Sequence, residues 1–174
     1  NINFDDLINN EKDYDIIKMH EYFKNKEPSL KNKYTGIFKD KNLIFITGES
    51  VNINAIKKDI TPTLYMLTHN GFVFNNFYTP IYYASTSDGE YTNLTGLLPT
   101  EGTWSMIKSS NNNMKYSLPA MFKTNDYKTY AYHNNAYNFY NRDITYPNLG
   151  FEKYTACGNG LEKKINCNIW PESD

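Results

Sequence analysis

The sequence predicts an α/β fold, a layered sandwich with a mainly parallel central sheet flanked by helices, and three observations carry that expectation. Asn42–Thr47 contains a continuous apolar run, Leu43-Ile44-Phe45-Ile46, which suits a strand covered on both faces. A punctuated helix follows, with Thr61 as N-cap, Pro62 in the first helical position and Gly71 as the stop. Strand-like and helix-like segments then alternate as far as Leu149, the succession that builds parallel sheets.

Residues 1–41 are highly charged, with helical patterning over Phe4–Asn10 and Asp15–Lys26. Ile16, Ile17, His20 and Phe23 share one helical face, and Pro28, Asn32 and Gly36 break the pattern. This stretch is expected to be a lead-in helical arm and linker without chemistry, and 42–174 the main body. Within that body, Glu49 follows the first strand, on the edge where open α/β sheets bind ligands. In the next helix Leu64 and Leu67 are expected to face inward. Phe72–Tyr78 is expected as a second strand, with Phe72, Phe74 and Asn76 on one face and Val73, Asn75 and Phe77 on the other. Ser85–Glu90 leads into a helix towards Leu94, closed by Gly96 and Pro99. The Asn-rich stretch 101–116 predicts a surface excursion. Ser117 caps a helix through Met121 and Phe122, Tyr127–His133 alternates as a strand, and Phe139–Leu149 forms a short helix stopped by Gly150.

A chain of 174 residues suffices for one domain with its own core. With 40% hydrophobic and 16% aromatic residues it is too apolar for a disordered chain, and a net charge of −1 argues against a nucleic-acid binder. No stretch approaches the roughly 20 apolar residues that span a bilayer. Asn1 carries no signal-peptide pattern and the chain stops at Trp170–Asp174 without a closing element, so an excised piece is expected, with any membrane anchor outside it. Cys157 and Cys167 flank a polar loop; they form either a local disulfide, which implies an oxidising compartment, or two unpaired thiols.

Glu49, Thr86 and the segment His133–Asp143 all fall at loop edges where strands end. Each has a plain explanation: a solvated loop carboxylate, a helix cap, a hydrogen-bonded structural histidine. Together they suggest phosphoryl chemistry. A threonine hydroxyl is a weak nucleophile that needs a base or a metal, and a divalent metal takes anionic oxygens such as Glu49. A helix opening at Thr86 also favours a phosphate beside it. Arg142 is the only arginine in the chain. Its planar fork can grip a phosphate through two bonds, or it can form a buried ion pair, for instance with Asp143 or Glu152.

From Asn32 onward the chain resembles lipoteichoic acid synthases. Asn32 to Ile46 with Gly48-Glu49-Ser50 is similar to the opening of their catalytic domain, and Ile60–Leu64 and Phe74–Tyr78 to the segments that follow. Ser85-Thr86-Ser87-Asp88-Gly89-Glu90 resembles the nucleophile motif, and His133–Asn135, Phe139–Asp143 and Leu149–Phe151 the segment that holds glycerol phosphate. The resemblance implies an alkaline-phosphatase/sulfatase-like fold with Thr86 as nucleophile, Glu49 and the Thr86 oxygen as ligands of Mn²⁺ or Mg²⁺, and Arg142, Tyr140 and His133 lining the substrate site. It further implies a membrane-anchored parent on the extracellular face of a Gram-positive-type bacterium. There, glycerol phosphate would pass from a phosphatidylglycerol-type lipid to a growing glycerol-phosphate polymer.

The chain departs from that family at Tyr140, where a Trp is usual, and at Ser85, where a Lys is usual. The family's other metal ligands, an Asp-His pair, lie further downstream than this chain reaches. The chain alone is therefore expected to be inactive and to need the remaining C-terminal part of the catalytic domain. The alternatives are a phosphoethanolamine transferase, a phosphodiesterase, or a non-catalytic extracellular module that binds teichoic acid or lipid headgroups. Sulfatase activity proper is disfavoured, because Thr86 is followed by Ser87-Asp88 and not by a Cys/Ser-x-Pro/Ala-x-Arg setting.

Overall fold

Helices form first where a capping side chain stands ahead of a run of charged and apolar residues. The Asn3 side chain accepts from the Asp6 amide to open α1 (Phe4–Asn10), and Asp13 accepts from the amides of Asp15 and Ile16 to open α2 (Tyr14–Asn25). Asp5 and Lys24 join the two helices through a 2.6 Å ion pair, with the Phe4 and His20 rings 6.5 Å apart. Ile17 and His20 are half-buried there, while Ile16 and Phe23 of the same expected face stay exposed. These helices belong to a unit that ends at Phe45, and a second unit begins at Ile46. The computed structural model describes residues 2–167, so the chain end at Trp170–Asp174 lies outside the described residues.

The second unit carries α3 (Pro62–Asn70), α4 (Thr86–Thr95), α5 (Ser105–Lys108), α6 (Leu118–Lys123), β1 (Tyr130–Ala136), α7 (Arg142–Asn148) and β2 (Lys153–Cys157). The two strands pair in parallel, from Tyr130 opposite Lys153 to Ala136 opposite Cys157, with an irregularity after His133. The connection between them carries α7, so the fold is α/β with a parallel sheet. Tyr91 and Leu94 from α4, Met106 from α5, Ala131 from β1, Tyr146 from α7, and Tyr154 and Ala156 from β2 form one core with Leu149. Cys157, at the end of β2, is disulfide-bonded to Cys167.

Several expected elements are corrected. Asn42–Thr47 and Phe72–Tyr78 are not strands: the described sheet has two strands, and Ile44 and Tyr78 are more than four-fifths exposed. An apolar run becomes a central strand only where neighbouring strands offer ladder partners, and no described segment pairs with either run. Leu64 and Leu67 are exposed, because α3 buries no residue. Thr61 does not cap α3 through its side chain; its hydroxyl turns back and donates to the Ala55 carbonyl at 2.7 Å.

The Asn-rich stretch 101–116 is not a surface excursion, since Met106 and Ser110 are buried and Trp104 and Met114 pack on the core. Its backbone polar groups are satisfied through Asn148, whose carbonyl accepts from the Met114 amide and whose side chain donates to the Ser110 carbonyl. Polar composition does not prevent burial when such partners exist. The strand expected over Tyr127–His133 starts and ends three residues later. The helix expected over Phe139–Leu149 splits into a 3-10 turn, Phe139–Asn141, and α7, because Tyr140 and Asn141 both take left-handed φ values near +57° and +56°. Among the described residues no helix is long and apolar enough to cross a membrane.

Gly150 ends α7 with φ +97°, and a Cβ there would lie 2.7 Å from backbone atoms of Ala120 in α6. Both conditions oppose any side chain. Gly150→Ala is expected to destabilise the fold by more than about 1 kcal/mol, seen as a lower urea midpoint at unchanged slope.

Candidate active site

The site is assembled around α4. Ser85 occupies its N-cap position without making a side-chain capping bond, and Thr86 is the first helical residue. The Thr86 hydroxyl donates instead to Glu49 Oε1 at 3.1 Å, across 37 residues of sequence. Thr86 is therefore not the helix cap, while Glu49 remains an exposed loop carboxylate that accepts this bond.

One turn further on, Glu90 faces the same way as Thr86 and is buried. Its Oε2 accepts from Arg142 Nη2 at 2.8 Å, and its Oε1 accepts from the Tyr146 hydroxyl. Arg142 also donates through Nε to the Tyr146 oxygen at 3.0 Å and through Nη1 to the Phe139 carbonyl at 3.4 Å. The lone arginine thus forms a buried ion pair, with Glu90 and not with Asp143 or Glu152; Glu152 pairs with Lys128. Burial opposes the guanidinium charge, but Glu90 and Tyr146 more than offset it and hold the group firmly protonated. Tyr146 is pushed above the usual tyrosine range by burial and by the Glu90 charge. Among the described residues three of the five guanidinium N–H groups are engaged.

Tyr140 and His133 complete the neighbourhood. The Arg142 guanidinium sits 5.4 Å from the Tyr140 ring centroid. Trp104 meets Tyr140 edge-on at 4.3 Å, and its indole N–H donates to Ser87 Oγ in α4 at 2.9 Å. Phe139 packs between Tyr140, at 3.8 Å, and His133, at 5.9 Å with the ring planes nearly parallel. His133 is half-buried, and its buried Nδ1 has no hydrogen-bond partner among the described residues. Burial first, then the Arg142 charge, push its pKa down to about 4 against the opposing pull of Glu90 and Glu49, so the ring is neutral at pH 7.

Glu49, Thr86, Arg142, Tyr140 and His133 therefore occupy one neighbourhood. Sequence inspection missed Glu90, Tyr146, Trp104 and Asp88. Glu90 had a readable signal: it stands at i+4 from Thr86, and a lone buried arginine requires a carboxylate. Trp104 had none, because its surroundings read as a polar loop.

Glu49 and Thr86 offer two adjacent hard oxygens of the type that Mn²⁺ or Mg²⁺ binds. Among the described residues no group of three or more His, Cys, Asp or Glu side chains could hold a metal ion. Glu49 and Thr86 supply two oxygens, against the roughly six that such an ion takes.

The sulfatase family model matches residues 41–171. The chain is similar to lipoteichoic acid synthase 2 of Bacillus subtilis (strain 168), 29% identical over 147 residues, covering 80% of this chain and 22% of that protein. It is also similar to lipoteichoic acid synthase of Staphylococcus aureus (strain USA300), 30% identical over 151 residues, covering 80% of this chain and 23% of that protein. Among solved structures it matches the crystal structure of the lipoteichoic acid synthase LtaP from Listeria monocytogenes, with 30% identity and a TM-score of 0.48 over 55% of this chain and 23% of that one. The chain spans less than a quarter of the length of these relatives.

Two outcomes test the electrostatics. Glu90→Gln leaves a buried guanidinium without its counter-charge and is expected to cost about 3–5 kcal/mol in a denaturant titration. His133 has a folded pKa of about 4, below its ordinary 6.5, so its contribution to stability is full above 6.5 and is lost as pH falls towards 4. The difference in urea midpoint between the unchanged chain and His133→Gln should shift over that window, with acid penalising the unchanged chain more.

Proposed function

This chain belongs to the sulfatase family, and we propose that it is part of a phosphoglycerol transferase working through a covalent Thr86 intermediate. The observation that carries this is the bond from the Thr86 hydroxyl to Glu49, at the start of a helix whose next turn holds Arg142 through Glu90. The similarity to lipoteichoic acid synthases supports a phosphatidylglycerol-type donor and a glycerol-phosphate polymer as acceptor.

In this scheme Thr86 Oγ1 attacks the donor phosphorus. A bond from Thr86 oxygen to phosphorus forms, the bond from phosphorus to the diacylglycerol oxygen breaks, and that oxygen takes up a proton as diacylglycerol leaves. A terminal hydroxyl of the polymer then attacks the phosphorus, and Thr86 is released with its proton restored. Arg142 supplies the positive charge that holds the phosphate, with its guanidinium oriented by Glu90 and Tyr146. Neutral His133 and Tyr140 line the wall beside it without adding charge.

Glu49 and Thr86 would hold Mn²⁺ or Mg²⁺ together with ligands from the part of the relatives that this chain does not span. When bound, such a cation supplies positive charge that makes the Thr86 hydroxyl easier to deprotonate. The disulfide between Cys157 and Cys167 supports a location outside the reducing cytoplasm, which accords with the extracellular face of a membrane that the family resemblance implies.

The test is Thr86→Ala in the full-length protein, assayed with a phosphatidylglycerol analogue. Transfer should fall by more than about 1,000-fold while the fold is kept. Undiminished transfer would mean that Thr86 is not the nucleophile; a headgroup-binding module would show no transfer before or after the change.

A further inference from the structure

Asp88 has no part in the chemistry above, yet among the described residues it is the most deeply enclosed charged group, with 0% exposure. No lysine or arginine pairs with it among the described residues. One oxygen, Oδ2, accepts from three consecutive backbone amides, those of Tyr82, Tyr83 and Ala84, at 2.9, 2.8 and 2.9 Å. The other oxygen, Oδ1, is buried and has no hydrogen-bond partner among the described residues. The carboxylate is thus spent wholly on the loop that delivers the chain to Thr86, although the side chains of Tyr82 and Tyr83 in that loop are exposed.

That loop ends in a constrained corner. The Ser87 amide donates to the Ala84 carbonyl at 2.9 Å, which closes a four-residue turn with Ser85 and Thr86 at its centre. Ser85 takes φ +46° and ψ −118°, the first corner of a type II′ turn, a position that glycine normally fills because a Cβ is unfavourable there. A non-glycine residue persists in such a conformation only when its surroundings over-determine it. Asp88 supplies the constraint from α4, and Gly89 adds to it. A Cβ at Gly89 would lie 2.8 Å from Thr79 Cγ2, so the loop start and the helix approach more closely than a side chain allows.

The geometry points to Asp88 as a positioning residue for Thr86: its three amide bonds hold Ser85 in the strained corner and so aim the Thr86 hydroxyl at Glu49. This inference rests on Thr86 being the nucleophile. It goes further by assigning the origin of the nucleophile's orientation to a carboxylate that touches neither substrate nor metal. The unpartnered Oδ1 fits that role, because the carboxylate is retained for what Oδ2 does and not for a balanced network.

The experiment uses the full-length protein and compares Thr86→Ala, Asp88→Asn, Asp88→Ala and the double variant Ser85→Gly/Asp88→Asn, each with kcat and KM measured separately and thermal midpoints recorded. Asp88→Ala is expected to lower kcat by about 100-fold with KM within about twofold, since misplacing a nucleophile acts on the chemical step. Asp88→Asn retains an acceptor oxygen and should recover part of that loss. Adding Ser85→Gly removes the strain that the clamp opposes, and should raise kcat of Asp88→Asn at least about threefold. In parallel, hydrogen exchange on the unchanged full-length protein should show slow amides at Tyr82, Tyr83 and Ala84.

If Thr86→Ala abolishes transfer while Asp88→Ala keeps full kcat, the positioning role is wrong and the nucleophile assignment stands. Transfer that survives Thr86→Ala overturns both. Should the Asp88 variants fail to fold, the exchange data decide: amides at 82–84 exchanging as fast as an open loop would show that no clamp exists.

Discussion

A guanidinium taken out of water must meet a carboxylate or destabilise the fold by several kcal/mol, and this chain has one arginine to place. Arg142 finds Glu90, and Tyr146 bonds to both. That buried triad joins α4, where Thr86 begins the helix, to α7, which starts beside Tyr140. The distance between proposed nucleophile and proposed phosphate clamp is therefore set by the clamp's own bonds to Glu90 and Tyr146, two residues with no other part in the scheme. Loosening them would separate Thr86 from Arg142 even with every site residue still present.

The first five residues of α4 divide the work of positioning. Thr86 reaches Glu49, Ser87 receives the Trp104 indole, Asp88 gathers three loop amides, Gly89 lets the loop approach, and Glu90 holds Arg142. Tyr91 and Leu94 then fasten the later part of the helix into the core. A helix secured this way at its N-terminal end is held mainly by hydrogen bonds in low-dielectric surroundings. Such bonds are strong when satisfied and costly when broken. The ring contacts through Trp104, Tyr140, Phe139 and His133 extend the same fixed geometry along one wall of the site.

The misplaced elements share a cause. Leu43–Ile46 and Phe72–Phe77 carry the local signature of buried strands, but a strand exists only with a hydrogen-bonding neighbour, and pairing is not a local property. The Asn-rich stretch failed in the opposite direction: its composition suggested solvent, while Asn148 satisfied its backbone and let Met106 enter the core. The helix near Phe139 was legible, but the left-handed pair Tyr140 and Asn141 that splits it was not, because neither residue is glycine.

From residues alone one could read the parallel α/β class, the helix opening at Thr86, the membership motifs, and the oxygen and guanidinium groups suited to phosphoryl chemistry. The class and the helix follow from periodicity and punctuation, the chemistry from side-chain types, and the membership from a resemblance of short motifs, all of which act over a few positions. Tertiary structure alone decided that Glu49 meets Thr86, that Arg142 answers to Glu90, that His133 stays uncharged, and that Asp88 faces inward. Each of these depends on burial and on partners tens of residues away, and burial is a property of the folded chain, not of any segment of it.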